Sequence, residues 1–448
     1  MKILFISLGC DKNLVDSEVM LGLLTKNGYT LTDEETQADV IVINTCCFIH
    51  DAKEESINTI LEMAQYKEQN LKALVVAGCL AERYKDEILK EIPEIDAVLG
   101  TTSYDSIVEA VNMALAENAG EHFEHYESID YLPDNSEVER VVTTGNHMAY
   151  LKIAEGCDKR CSYCIIPKIR GHFRSVPMEE LLNEAKRLAS EGVKELVLVA
   201  QETTLYGKDL TGEKQLPLLL HELCKIEGIE WIRLLYCYPE EITDELIEAI
   251  KTEEKVCNYI DMPIQHSENR ILQRMGRRTS REDLVAVIKK LRQEIPDITI
   301  RTTLITGFPG ESEEDHEGLM NFVEECKFDR LGVFTYSPEE DTLAATFEDQ
   351  IDEEVKEARR DELMSLQQEI SYEHTQQLVG KTIKVMVEGY LFEDDIYVGR
   401  SYMDAPKVDG CVFINSPEEL MTGDFVYVKI TQGREYDVIG EVDYEFTK

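Results

Sequence analysis

Residues 148–167 read Met148-Ala-Tyr-Leu-Lys-Ile-Ala-Glu155-Gly-Cys157-Asp-Lys-Arg-Cys161-Ser-Tyr-Cys164-Ile-Ile-Pro167. The apolar run that opens this stretch predicts a strand, and a Cys-x3-Cys-x2-Cys triplet follows at once. Three thiolates this close can hold a cuboidal iron–sulfur cluster, for which a full protein set is four ligands. The iron left open can then coordinate a substrate or cofactor. The competing reading is a zinc knuckle, yet zinc takes four ligands at paired spacings. No fourth Cys or His lies near the triplet in the chain.

Downstream, strands are predicted at 150–154, 195–201, 231–238, 259–265, 299–305 and 330–336, with helices between them such as 177–191, 239–252, 282–294 and 312–325. Six βα units predict a barrel, complete or open, whose chemistry sits at the carboxyl ends of the strands. The triplet lies just beyond the first of them. Upstream, strands at Lys2–Ser7, 39–44, 74–77 and Ala97–Leu99 alternate with helices at 15–27, 50–67, 81–91 and 104–117. That is a doubly wound parallel α/β pattern. Residues 118–146 are polar and acidic and read as a linker. A long charged helix, Glu353–Leu378, leads out of the barrel to 380–448, which is rich in strands and turns and reads as a small five-stranded β-barrel. The expected fold class is α/β with three domains, 1–140, 141–375 and 376–448.

A second cysteine set emerges from position rather than spacing. Cys10, Cys46 and Cys79 each closely follow a strand of the first series. In a parallel sheet the carboxyl ends share one edge, where ligands bind, so the three thiols are expected to converge. Gly9 and Gly78 let backbone approach closely there. A second three-thiolate cluster and ordinary burial of Cys at strand ends both fit, and Cys47 is not excluded by spacing. Cys224, Cys237, Cys257, Cys326 and Cys411 lie singly in apolar stretches and read as core.

Twelve cysteines in a chain with no cleavable leader pattern argue for metal or catalytic use rather than disulfides. The apolar start Met1–Cys10 runs straight into polar residues and reads as a strand, not a signal peptide. No run reaches the length of a membrane span. A soluble, cytoplasmic protein is expected. Against 46 Lys and Arg stand 89 Asp and Glu, a net charge of −43. Such a chain repels phosphate backbones and attracts basic partners, although acidity also serves plain solubility.

The triplet with Tyr163 before its third cysteine resembles the signature of radical S-adenosylmethionine (SAM) enzymes. Over its whole length the chain resembles the methylthiotransferase family among them. The carrying motifs are Leu8-Gly-Cys-Asp-Lys-Asn-Leu-Val-Asp-Ser-Glu18, Asn44-Thr-Cys46, Ala77-Gly-Cys79, Pro263-Ile-Gln-His-Ser267, Met275-Gly-Arg-Arg278 and Thr306-Gly-Phe-Pro-Gly-Glu311, and the C-terminal segment resembles a TRAM domain.

The resemblance implies SAM and two 4Fe–4S clusters, one on Cys157, Cys161 and Cys164 and one on Cys10, Cys46 and Cys79. It implies insertion of sulfur and a methyl group at an unactivated C–H bond. It also implies a flavodoxin- or ferredoxin-type electron donor and a monomer. Gln201 and Thr203 resemble residues near the SAM amino group. Thr303, Ile305 and Gly307 resemble the turn under its adenine. Gln265 and His266 end a strand at the same mouth, and Arg174 or Arg277 could grip a carboxylate. Thr306–Glu311 lacks the Gly-Lys-Ser/Thr ending of a phosphate loop.

One branch of the family modifies adenosine in tRNA; the other modifies an aspartate of the twelfth small-subunit ribosomal protein. Asp11-Lys12-Asn13 resembles the protein-modifying form, where the tRNA branch usually shows Gln-Met-Asn. Between Gln376 and Lys448 seven Lys or Arg face fourteen Asp or Glu, a net of −7, the wrong sign for an RNA reader. The expected substrate is therefore the basic ribosomal protein, with no stable nucleic acid and no membrane. The alternatives are a tRNA-adenosine methylthiotransferase and a two-cluster electron carrier.

Overall fold

The computed structural model describes residues 1–116 and 122–445. The end of the helix expected at 104–117, the start of the expected linker at 118–146, and residues 446–448 lie outside the described residues. Six parallel strands form the first sheet, in the order Thr30–Leu31, Lys2–Ser7, Val40–Thr45, Ala73–Gly78, Ala97–Leu99, Phe123–His125. Every residue of the two central strands is buried, as expected of a parallel sheet covered on both faces. Alternate residues serve opposite faces. Ile41, Ile43, Leu74 and Val76 pack with Ile60 and Leu80 on one side, and Val40, Val42, Val75 and Ala77 with Met20, Leu24 and Ile107 on the other.

The polar stretch read as a linker is corrected here. Phe123–His125 forms the sheet's edge strand, where one face meets water and polar residues are tolerated. Farther on, Arg140 donates to Glu18 at 2.9 Å with both side chains buried, and the Thr143 amide donates to the same carboxylate at 2.7 Å. These partners are distant in sequence, so composition alone could not reveal the clamp.

The second sheet is open rather than closed. Its six parallel strands are Met148–Lys152, Glu195–Val199, Trp231–Leu234, Val256–Asp261, Thr299–Thr306 and Arg330–Thr335, in chain order. The third and fourth strands end earlier than expected; beyond them the backbone turns left-handed at Tyr236 (φ 59°) and at Gln265 (φ 70°), the latter meeting Leu304 in a single bridge. Such conformations are costly for residues with a Cβ and gather at functional sites. The helix Asp11–Lys26 flanks the first strand: Lys152 pairs with Asp16, and Val15 packs with Met148 and Tyr150. The helix Glu353–Leu378 covers the far edge, where Gln367 donates to the Phe328 carbonyl at 2.8 Å.

The C-terminal strands Thr382–Leu391, Ile396–Ser401, Val412–Asn415, Val438–Val442 and Phe425–Gly433 close into a barrel in that order. It docks on the second sheet through Trp231 against Phe425, ring centroids 4.8 Å apart, and through a buried ion cluster around Glu195. No helix among the described residues is long and apolar enough to cross a membrane.

Candidate active site between the two parallel sheets

Strand order in the first sheet reverses between Lys2–Ser7 and Val40–Thr45, and ligands of open α/β sheets bind outside the carboxyl ends at such a switch. Cys10 caps the helix that follows the first of these strands. Cys46 follows the second, and Cys79 opens the helix after Ala73–Gly78. A Cβ built on Gly9 (φ 86°) would stand 2.8 Å from Cys46 Sγ, so the Cys10 and Cys46 loops touch. Asn13 knits them, donating to the Thr45 carbonyl at 2.9 Å and to that of Leu8 at 3.1 Å. Cys79 Sγ is buried 3.8 Å from Asn13 Oδ1.

Cys47 instead enters the apolar cluster with Leu80 and Ala81, and burial pushes its thiol up to about 12. Gly78 (φ 92°) is irreplaceable on geometry: a Cβ would meet Asn44 Oδ1 at 2.3 Å and the Thr45 carbonyl at 2.7 Å. Gly78→Ala is expected to cost about 1–3 kcal/mol and to displace Cys79, read as a lower melting temperature with reduced iron uptake.

The second thiol set sits on the loop after Met148–Lys152. Its backbone is pinned from outside: the Ser162 amide donates to the Met275 carbonyl at 2.9 Å, and the Ala344 amide to the Ser162 carbonyl at 2.8 Å. The Cys164 amide donates to the Cys161 carbonyl at 3.0 Å, which curls the loop inward. Burial pushes the Cys157 thiol up to about 12 and Cys164 also upward, so as free thiols both keep their protons; metal binding has to displace them. Among the described residues no three Cys, His, Asp or Glu side chains close on one point as ligands of a single ion would. A cuboidal cluster, with its irons at separate corners, sets its thiolates wider, and soft thiols in threes suit iron and sulfide.

Around this loop lie polar atoms that are buried yet without a hydrogen-bond partner: Gln201 Oε1, Gln265 Oε1, and Nε and Nη1 of Arg277. Buried polar groups are normally paired, so this cradle fits a bound polar molecule such as SAM. Gln201 is held by its amide nitrogen, 2.6 Å from Glu155 Oε1. Gln265 donates its backbone N–H to the Thr303 carbonyl at 2.9 Å and accepts from that of Ile305 at 2.8 Å, which brings these three residues to one rim. Tyr163 packs edge-on against buried Phe308. Burial lowers His266 to about 3, keeping it neutral.

Two expected contacts are otherwise engaged. The Thr203 hydroxyl donates to the Leu235 carbonyl at 2.8 Å, and Gly307 abuts the Lys356 stem, where a Cβ would stand 2.1 Å from Cγ. Arg174 spends both Nη1 and Nη2 on the carbonyls of Arg170, His172 and Tyr131 and is left with Nε alone unpaired, whereas Arg277 has two unpaired nitrogens. Arg277 uses only Nη2, on the Pro263 carbonyl at 2.7 Å, and lies over the Tyr238 ring, 4.5 Å from its centroid. The structure thus separates two arginines that the sequence left equivalent.

A buried network that residue spacing did not reveal links the two thiol sets. Arg170 reaches Asp16, Glu155, Asn13 and Cys79, and Lys152 bridges Asp16 and Glu155 from the other side. These charged groups are scattered over 155 positions of the chain, from Asp16 to Arg170, if both ends are counted; only folding collects them. Lys159 forms a second cluster with Glu202, Glu240 and Glu241, and burial pushes Glu202 up to about 7.

Three family models match the chain: Uncharacterized protein family UPF0004 over residues 2–100, Radical SAM superfamily over 151–323, and TRAM domain over 379–442. The chain is 62% identical over 444 residues to the ribosomal protein uS12 methylthiotransferase RimO of Lachnoclostridium phytofermentans, covering 99% of this chain and 100% of that one. The protein of the same name from Acetivibrio thermocellus is 52% identical over 455 residues, covering 100% and 99%. Among solved structures, the radical SAM methyltransferase TsrM from Kitasatospora setae, with cobalamin and a 4Fe–4S cluster bound, superposes with a TM-score of 0.57 at 13% identity, over 85% of this chain and 78% of that one. This last likeness is one of fold alone. Identity this high along the full length means that the chain belongs to the RimO family of radical SAM methylthiotransferases.

Proposed function

We infer that the chain is a ribosomal protein uS12 methylthiotransferase that uses SAM and 4Fe–4S clusters. The observation that carries this reading is full-length identity to relatives of that name, joined to two three-cysteine sets at the carboxyl edges of two parallel sheets. At the finer level, the proposed reaction replaces a hydrogen on the β-carbon of a uS12 aspartate with a methylthio group. Cys157, Cys161 and Cys164 are the proposed ligands of the SAM-binding cluster, and Cys10, Cys46 and Cys79 those of the auxiliary one. When bound, these groups supply the hydrogen-abstracting radical and the sulfur with its methyl group.

The protein's own part is to bind, orient and exclude water. Arg277 offers two unpaired donor nitrogens, Nε and Nη1, to a carboxylate. Gln201 and Gln265 present carbonyl oxygens to an ammonium or hydroxyl. Tyr163, Ile305 and Thr303 would border the bound cofactor, while Thr203 and Gly307 act indirectly, by fixing the strand ends beside it. The three units divide at the proposed bounds 1–140, 141–375 and 376–448. A cytoplasmic monomer fed by a flavodoxin- or ferredoxin-type donor, without stable nucleic-acid binding, completes the proposal; the net charge of −43 supports a basic partner.

Arg277→Gln is expected to weaken SAM binding about tenfold to a hundredfold, since a hydrogen bond to a charged group contributes about 1.5–3 kcal/mol. Arg174→Gln should leave it near wild type, as equilibrium binding to the reconstituted protein would show. The function itself is tested by offering the anaerobically reconstituted protein SAM, reductant, uS12 and adenosine-modified tRNA together. A methylthio mass gain on a uS12 aspartate peptide alone is the expected result; a gain on tRNA alone overturns the reading.

A further inference from the structure

Arg170 is buried, and its guanidinium faces two ways. Nη1 donates to Asp16 Oδ2 at 2.9 Å and to Glu155 Oε2 at 3.0 Å; Nη2 donates to the Asn13 side-chain carbonyl and to Cys79 Sγ, the latter at 3.5 Å. Lys152 pairs with the same two carboxylates. Two cations thus balance two anions, and the planar fork is locked with one edge turned to the sulfur. Glu155, which precedes Cys157 by two positions, also accepts from Gln201 at 2.6 Å. The support behind Cys79 and the support behind the second thiol loop are therefore one hydrogen-bonded unit.

Resting on the ligand assignment above, we propose that Arg170 is a positioning residue that holds Cys79 and sets the reduction potential of the auxiliary cluster. A fixed cation donating to a ligating sulfur offsets the charge of an added electron and so raises the potential. Burial strengthens the effect, because little solvent screens it. The contact is selective: among the described residues Arg170 donates to Cys79 and to no thiol of the Cys157 loop.

The test uses full-length protein carrying Cys157→Ala, Cys161→Ala and Cys164→Ala, reconstituted with iron and sulfide, so that redox titration followed by electron paramagnetic resonance reads the auxiliary cluster alone. Arg170→Lys keeps the charge beside Asp16 and Glu155 but cannot span both the acids and the sulfur. The expected result is a lower midpoint potential in Arg170→Lys and a still lower one in Arg170→Gln. A residue with a merely structural role would lower the melting temperature and leave the potential of the assembled cluster where it was. A midpoint in Arg170→Lys equal to that of its parent overturns the proposal. Failure of the parent itself to take up a cluster would instead defeat the assignment of Cys10, Cys46 and Cys79.

Discussion

Cys161→Ala is expected to abolish methylthiolation and SAM cleavage together while leaving iron uptake at the proposed Cys10, Cys46 and Cys79 site. Loss of an outer partner of a metal site costs about 10–100-fold in activity or affinity; loss of one of only three protein ligands should exceed about 100-fold. The loop is pinned by backbone bonds from Met275 and Ala344 rather than by the cysteine side chains, so the variant should fold. Iron content, 5′-deoxyadenosine release and the melting curve separate the outcomes. A variant that still releases 5′-deoxyadenosine at the wild-type rate would remove Cys161 from the site. Cys47→Ala is the matched control: that thiol packs in the apolar cluster and should be dispensable for cluster assembly.

Glu195→Gln should produce the largest loss of stability. The carboxylate is fully buried between Arg233, 2.8 Å from Oε1, and Arg400, 2.5 Å from Oε2, and it joins the second sheet to the C-terminal barrel. Removing one partner from a buried ion cluster strands the others, at a cost of about 3–5 kcal/mol. The two guanidiniums hold this carboxyl down at about 2, although burial alone would raise it, against 4.5 for an unperturbed glutamate. Since the folded value is the lower one, the contribution is complete above about pH 4.5 and is lost as pH falls toward 2. Thermal melts from pH 7 to pH 3 should show wild type losing stability through this window and Glu195→Gln losing less. A variant as stable as wild type at pH 7 would refute the argument. Arg400→Met added to Glu195→Gln should recover part of the loss, because the two sites share one interaction.

The Cys157 triplet could be picked out directly because its three cysteines sit within one loop, where spacing alone sets proximity. The doubly wound domain, the six βα units and the small barrel were equally legible, since hydrophobic period and turn placement are local properties. Cys10, Cys46 and Cys79 were legible one step less directly, through the rule that parallel strands share a carboxyl edge; the strand order then set Cys10 and Cys46 on either side of the switch point.

Other features depended on contacts between distant segments. Closure of the second sheet turns on whether its first and last strands pair, and the helices Asp11–Lys26 and Glu353–Leu378 flank those edges instead. The stretch before Met148 looked like a linker because the partner of Arg140 is Glu18, far up the chain. Arg174 and Arg277 are alike as residues, and differ only in which backbone carbonyls the fold brings to each. Arg170, Asp16, Lys152 and Glu155 carry no signal of their own in a chain so rich in charge. They become a unit because burying charged groups demands compensation, and only the packing of one sheet against the other decides which groups supply it.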